Sequence, residues 1–286
     1  MVTGHLTATA TATATAAVTA TAAVAVVGAA AGAFSGLGGA GRAGAAVLTA
    51  SGALAALTTV HAAPAVSTFG PLRNRFMPAL AGRGDPGHVA LTFDDGPDPQ
   101  STPHFLRLLE RAGVRATFFL LGEMLVHAPG LARDIASAGH EIGVHGWAHR
   151  PALLRGPRAT AADIARVHDV AAHVLGTPPT LFRPPYGVFS ASAYLACRAL
   201  GMRPVLWTAW GEDWRRGATP RSVHDTVMRS LRGGGTVLLH DSDCTSAPGS
   251  WRVTLGAVPR LLDTCAERGW RVGPLRDHGR QERHRS

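Results

Sequence analysis

From His88 onward the chain alternates short apolar runs with longer amphipathic stretches, the pattern that repeated strand–helix units produce. The apolar runs predict strands over 89–93, 116–121, 141–144, 205–208 and 236–239. The amphipathic stretches predict helices over 101–112, 129–138, 160–175, 190–200, 220–231 and 253–268. Gly113, Gly139, Gly176, Gly201 and Gly269 follow five of these helices, where a residue without Cβ can close the last turn in a left-handed conformation. Strand then helix, repeated, calls for a parallel α/β architecture, with a barrel as the expectation. In such a barrel reactive side chains belong on loops at the C-terminal ends of strands. The polar residues fall there: Asp94 and Asp95 follow the first strand, His145 follows Val144, Asp213 lies beyond the 205–208 run, and His240 closes Val237-Leu238-Leu239.

The N-terminal part has no such pattern. Residues 1–41 are a low-complexity run of Ala, Thr, Gly and Val, including Thr7-Ala8-Thr9-Ala10-Thr11-Ala12. Side chains this small bury too little area to offset chain entropy, so disorder or membrane association is expected. The first 60 residues contain Arg42 and no acidic residue, whereas nearly all Asp and Glu follow His88. The folded domain is therefore expected to begin near His88. Arg42 precedes a weakly apolar stretch over 43–60, then Ala62-Ala63-Pro64, which resembles a signal-peptidase junction. That would suit an exported protein of the cell envelope or outside the cell. The charge lies far from Met1 and the apolar stretch is Ala-rich, so a start codon set too far upstream, or a cytoplasmic protein, are the competing readings. The expected organisation is a signal-like or membrane-associated segment over 1–63, a linker over 64–87, a catalytic domain over 88–276 and a basic, solvated tail over 277–286.

With 286 residues, 46% of them hydrophobic, the chain can build one substantial core. All 28 basic residues are Arg, and the formal net charge is +9. They are dispersed, with no basic stretch interleaved with aromatics, so compositional bias is the reading and no nucleic-acid partner is expected. Cys197, Cys244 and Cys265 form no CxxC pair. A Cys244–Cys265 bridge and partly buried thiols both remain open, and the redox compartment with them.

Thr92-Phe93-Asp94-Asp95-Gly96-Pro97 sets two carboxylates side by side at a strand end. Strand alternation would point them to opposite sides, one toward a metal and one toward water. His145 and His149 stand four apart, a spacing that brings two imidazoles to one face of a helical turn. Two His and one Asp form a three-ligand set with positions left for water and substrate. Asp94 would then be the general base, and His240 the proton donor to a leaving amine. Arg183-Pro184-Pro185-Tyr186-Gly187 is either a rigid turn or the source of an arginine that holds Asp94 ionised. Asp213 would do the equivalent for His240.

In this order and spacing, Thr-Phe-Asp-Asp-Gly, His-x-x-x-His, Arg-x-Pro-Tyr, Asp-Trp and Leu-x-His resemble the polysaccharide deacetylase family, the NodB-homology or carbohydrate esterase 4 group, from about His88 to Arg276. The resemblance implies a distorted (β/α) barrel, commonly seven-stranded, binding zinc or a similar divalent ion such as cobalt. By position it implies Asp95, His145 and His149 as metal ligands, Asp94 as base, His240 as acid, and Arg183 and Asp213 as their orienting partners. It further implies the Tyr186 backbone N–H at the oxyanion, and Trp214 and Leu238 lining an acetyl pocket. The implied reaction is hydrolysis of the linear amide of an N-acetylglucosamine-containing glycan, peptidoglycan or a chitin-like oligomer. An O-acetyl esterase on xylan or another decorated sugar, and an inactive glycan-binding protein, are the alternatives. Two positions depart from the pattern: Gly146 stands where the family has Ser or Thr, from which looser metal binding is expected, and Trp210 stands where many members have Asp.

Overall fold

The computed structural model describes residues 42–279; the low-complexity segment 1–41 and the end of the basic tail lie outside the described residues. Among the described residues there are eight parallel strands: β1 (His88–Asp94), β2 (Thr117–Leu120), β3 (Glu141–Val144), β4 (Leu181–Phe182), β5 (Arg203–Pro204), β6 (Ala209–Trp210), β7 (Thr236–His240) and β8 (Arg271–Gly273). Seven of them form one continuous curled path, β5-β4-β3-β2-β1-β7-β6, and β8 pairs with the start of β1. Strand β1 is central and buried at every position, as expected for a parallel strand covered on both faces. The helices are α1 (Arg42–Ala62), α2 (Gly70–Phe76), α3 (Thr102–Arg111), α4 (Gly122–His127), α5 (Pro129–Ser137), α6 (Pro157–Leu175), α7 (Ala191–Ala199), α8 (Pro220–Ser230) and α9 (Ser250–Glu267).

The predicted (β/α) barrel is therefore the fold, a half-barrel with its path ending at β5 and β6. All five helix-terminal glycines take positive φ, between 64° and 80°. Phe93, Phe105 and Phe118 pack between β1, α3 and β2 with ring centroids 5.2 Å apart, and the interior is filled by residues such as Leu91, Leu120, Val144, Phe182 and Leu239. Because all strands are parallel, the residues after β1, β3, β4, β6 and β7 share one end of the sheet.

Several expectations are corrected. The predicted strand over 205–208 is instead the connection between β5 and β6. There Leu206 N donates to Leu80 O at 2.7 Å and Thr208 N to Thr236 O at 3.0 Å, so its bonds go partly to the N-terminal segment. Strands β4 and β8 and helix α4 were not predicted. The segment 64–87, expected to be a linker, packs on the barrel. Arg73 of α2 is buried and donates from Nη2 to Trp207 O at 2.7 Å, and Gly82 O accepts from Thr236 Oγ1 at 2.6 Å. Burial lowers the Arg73 guanidinium to about 10, with Arg183 adding to the effect. Cys197, Cys244 and Cys265 are free thiols. No helix among the described residues is long and apolar enough to cross a membrane; Leu54, Leu57 and Val60 of α1, Val66 and Phe69 of the connection and Phe76 of α2 are exposed.

Candidate active and metal site

Strand β1 delivers the two carboxylates, and the way it ends decides where they point. Asp94 is the last strand residue, in register with His240 of β7. Asp95 turns out of the strand at φ +79°, a left-handed conformation that Asp tolerates better than most residues. Strand alternation is thereby broken, and the two carboxylates do not face opposite sides as expected. Both approach the same imidazole: His145 Nε2 lies 3.6 Å from Asp94 Oδ2 and 3.6 Å from Asp95 Oδ1.

The histidine pair also reaches one place by a different route from the predicted helical turn. Residues 145–149 form a loop after β3 in which Gly146 and His149 take φ of +85° and +52°. The His rings end 5.1 Å apart, and His149 Nε2 lies 3.6 Å from Asp95 Oδ1. One ligand atom from each of Asp95, His145 and His149 falls within 4.8 Å of the others. The residues fit a divalent ion on a further observation: Asp95 Oδ1 is buried without a hydrogen-bond partner, and 3.6 Å is too long for a hydrogen bond to either imidazole. His145 Nδ1 donates to Arg183 O at 2.8 Å, which leaves Nε2 with the lone pair a metal needs. Burial, reinforced by His149, pushes the His145 imidazole down to about 3, so it is neutral and ready to ligate.

Arg183 follows β4 and lies inside the barrel, fully buried. Its Nη1 donates to Asp94 Oδ1 at 2.6 Å and to Thr92 Oγ1 at 2.8 Å, its Nη2 to Leu206 O at 3.0 Å, and the guanidinium sits 4.0 Å over the Phe119 ring. The expected Arg183–Asp94 contact is thus present, with most donors satisfied. Removing either partner would leave a buried charge unpaired, at a cost of about 3–5 kcal/mol. Burial raises the Asp94 carboxyl above its ordinary value, opposed by Arg183.

Across from Asp94, His240 Nδ1 lies 3.0 Å from Asp213 Oδ1, and His240 N donates to Asp213 Oδ2 at 2.8 Å. Burial alone would lower the His240 imidazole, but Asp213 outweighs it, helped by Asp95 and Asp94, and the group is raised to about 9. Leu238 lies two residues before His240 on β7 and so shares its side of the sheet. The Trp214 ring stands 5.4 Å from His240, edge on. Tyr186 takes φ +60° in the turn after Arg183, and its ring packs against that of His149, centroids 4.5 Å apart and tilted at 60°. All ten residues singled out in the sequence therefore gather at one end of the barrel.

Other partners carried no sequence signal. Thr245 Oγ1 donates to Asp95 Oδ2 at 2.5 Å, and Thr254 of α9 donates to Asp213 Oδ2 at 2.7 Å. Asp163 of α6 accepts from Trp147 N at 3.0 Å and pairs with Arg155. Gly146, lacking a hydroxyl, thus sits in a loop held from outside by a carboxylate. A hydroxyl residue in a polar loop has too many ordinary uses for spacing alone to pick it out.

The arrangement has known counterparts. A family model for polysaccharide deacetylase matches residues 81–205. A chitooligosaccharide deacetylase of Bradyrhizobium sp. is 32% identical over 221 residues, covering 70% of this chain and 97% of that protein. The peptidoglycan-N-acetylglucosamine deacetylase PgdA of Listeria monocytogenes is 34% identical over 159 residues, where the match spans 56% of this chain and only 33% of that protein. Among solved structures, the Bc1960 peptidoglycan N-acetylglucosamine deacetylase aligns with TM-score 0.64 at 27% identity, over 71% of this chain and 94% of that one. A carbohydrate esterase family 4 pseudoenzyme from Bacillus anthracis aligns with TM-score 0.62 at 25% identity, over 68% of this chain and 67% of that one. Sequence identity along nearly the whole of a relative, together with the shared half-barrel, means that the chain belongs to the polysaccharide deacetylase family, the NodB-homology group of carbohydrate esterase family 4.

Proposed function

We propose that the chain is a metal-dependent hydrolase that removes N-acetyl groups from an N-acetylglucosamine-containing glycan, peptidoglycan or a chitin-like oligomer. The observation that carries this reading is the meeting of an unpartnered Asp95 Oδ1 and two imidazoles beside an arginine-held Asp94 and an Asp213-held His240. Asp95, His145 and His149 would hold the ion, most simply zinc, with cobalt as a substitute. When bound, it would supply Lewis acidity toward water and the acetyl carbonyl.

The remaining steps belong to the chain itself. Asp94 has Oδ1 engaged by Arg183, so Oδ2 is the atom that takes a proton from the attacking water. The elevated Asp94 carboxyl makes it a better base than an exposed aspartate. As the carbonyl becomes tetrahedral, its oxygen gathers charge that the backbone N–H of Tyr186 would help stabilise. His240 has Nδ1 on Asp213, which leaves Nε2 to protonate the departing nitrogen; the C–N bond breaks, and acetate and a free amine remain. Leu238 and Trp214 flank His240 and would enclose the acetyl methyl group.

An inactive glycan-binding protein would be expected to lack part of this set, yet base, ligands and acid are all present. The peptidoglycan and chitooligosaccharide relatives support an envelope or secreted location. Acetate release should be measured with the full chain and zinc, on N-acetylglucosamine oligomers, peptidoglycan and acetylxylan in parallel, with and without a chelator. Chelator-sensitive release from the first two is expected; release from acetylxylan alone would make the chain an O-acetyl esterase.

A further inference from the structure

Beyond the catalytic set, a row of indoles leads away from His240. Trp214 stands edge-on to His240, Trp210 lies 5.3 Å from Trp214 at 65°, and Trp207 stacks on Trp210 at 6.2 Å and 26°. The far end of the row is anchored. Trp207 is only 9% exposed, its ring fills the space a side chain at Gly187 would need, and its carbonyl accepts from buried Arg73. Trp210 is itself a strand residue in register with Leu238, and Gly211 N donates to Leu238 O at 3.3 Å. The indole is therefore fixed from below by Trp207, at its edge by Trp214 and through its backbone by β7. Yet it remains 37% exposed, on a strand whose neighbour β7 carries His240.

A rigid, pre-positioned, half-open indole next to a reactive site is a surface for a flat partner with an apolar face and polar rim. A pyranose ring has that character. Close by in the chain, Glu212 and Arg215 are paired with each other at 3.2 Å. We infer that Trp210 is a stacking platform for the sugar unit adjoining the one that is deacetylated, so that the chain selects oligomers over single acetylated sugars. The inference rests on the glycan reading above and adds a specificity-determining residue to it.

The test compares the wild type, Trp210→Ala and Trp210→Phe, as full chains with zinc, on N-acetylglucosamine and its tetramer. Binding of the tetramer is also titrated directly by calorimetry. Losing a stacked ring should raise KM and Kd for the tetramer about tenfold, leave kcat on the tetramer within about twofold, and leave the single sugar unaffected; Phe should restore most of the loss. An unchanged KM and Kd in Trp210→Ala, or an equal loss on the single sugar, overturns the inference. Should the wild type release no acetate, the titration still decides: tetramer binding lost in Trp210→Ala sustains the platform while the deacetylase reading fails, and no tetramer binding by the wild type overturns the platform.

Discussion

Asp213 sets the charge of His240. It accepts from the His240 ring and from its backbone N–H, and is itself steadied by Thr254. The result is an imidazole raised to about 9 from its ordinary 6.5, still protonated at neutral pH, as a proton donor must be. A group with a raised pKa keeps its proton up to the raised value, so activity that depends on it falls as pH climbs through about 9. Asp213→Asn should move that alkaline fall in kcat toward the ordinary histidine range of about 6.5, read from a pH–rate profile. An unmoved limb would show that another group sets it. At this scale the two pairings, Arg183 with Asp94 and Asp213 with His240, were legible because charged residues at strand ends have few other uses. Thr245, which donates to Asp95, and Thr254, which donates to Asp213, were not.

The loop carrying His145 and His149 shows what single residues cannot. Its first residue, His145, is fixed by β3 and by the Arg183 carbonyl, and its middle is clamped by neighbouring elements. Gly122 N and Glu123 N at the start of α4 donate to Gly146 O and Trp147 O, each at 3.0 Å. Arg166 of α6 lies 3.4 Å over the Trp147 ring, and Asp163 of α6 accepts from Trp147 N. With two residues at positive φ, the loop keeps its shape only through such contacts. Asp163→Ala should therefore weaken zinc binding by about 10–100-fold, measured by chelator competition, while Asp163→Glu recovers part of it. Metal affinity unchanged in Asp163→Ala would remove the clamp from consideration. Neither α4 nor the two-residue strand β4 was visible in the sequence: periodicity needs more residues than six or two to declare itself. The 205–208 run misled for the converse reason, since its apolar side chains are buried without its backbone joining the ladder as a strand.

The whole molecule is closed at the end opposite the site by buried histidines. His278 Nε2 donates to Gly82 O at 2.8 Å, so its Nδ1 must accept from His88 Nδ1 at 2.9 Å, while His140 Nδ1 accepts from Ala116 N at 3.1 Å. Burial pushes His88 and His140 down to about 4 and lowers His278 as well; nearby His and Arg groups act in the same direction on all three, and the acceptor role of Gly82 O partly opposes it for His278. Above pH 6.5 these rings are neutral in both folded and unfolded chains and cost nothing. Between 6.5 and about 4 the unfolded chain takes up protons that the folded one refuses, so stability is lost as pH is lowered across that window. The urea midpoint should drop between pH 7 and pH 4.5, and less so in His140→Gln; a flat midpoint would contradict the neutral assignment. That a segment before His88 helps close this end was hidden from the sequence, because Ala- and Gly-rich stretches bury through backbone contacts that leave no apolar pattern. Zinc content and turnover, measured together in Asp94→Asn and His149→Ala, separate a metal held by Asp95, His145 and His149 from a neighbouring base that does not hold it. The predicted result is an Asp94→Asn chain that keeps about one zinc yet loses turnover by about 10²–10⁴-fold, and a His149→Ala chain stripped of metal. A fully loaded His149→Ala chain, or an Asp94→Asn chain that turns over unchanged, would contradict it.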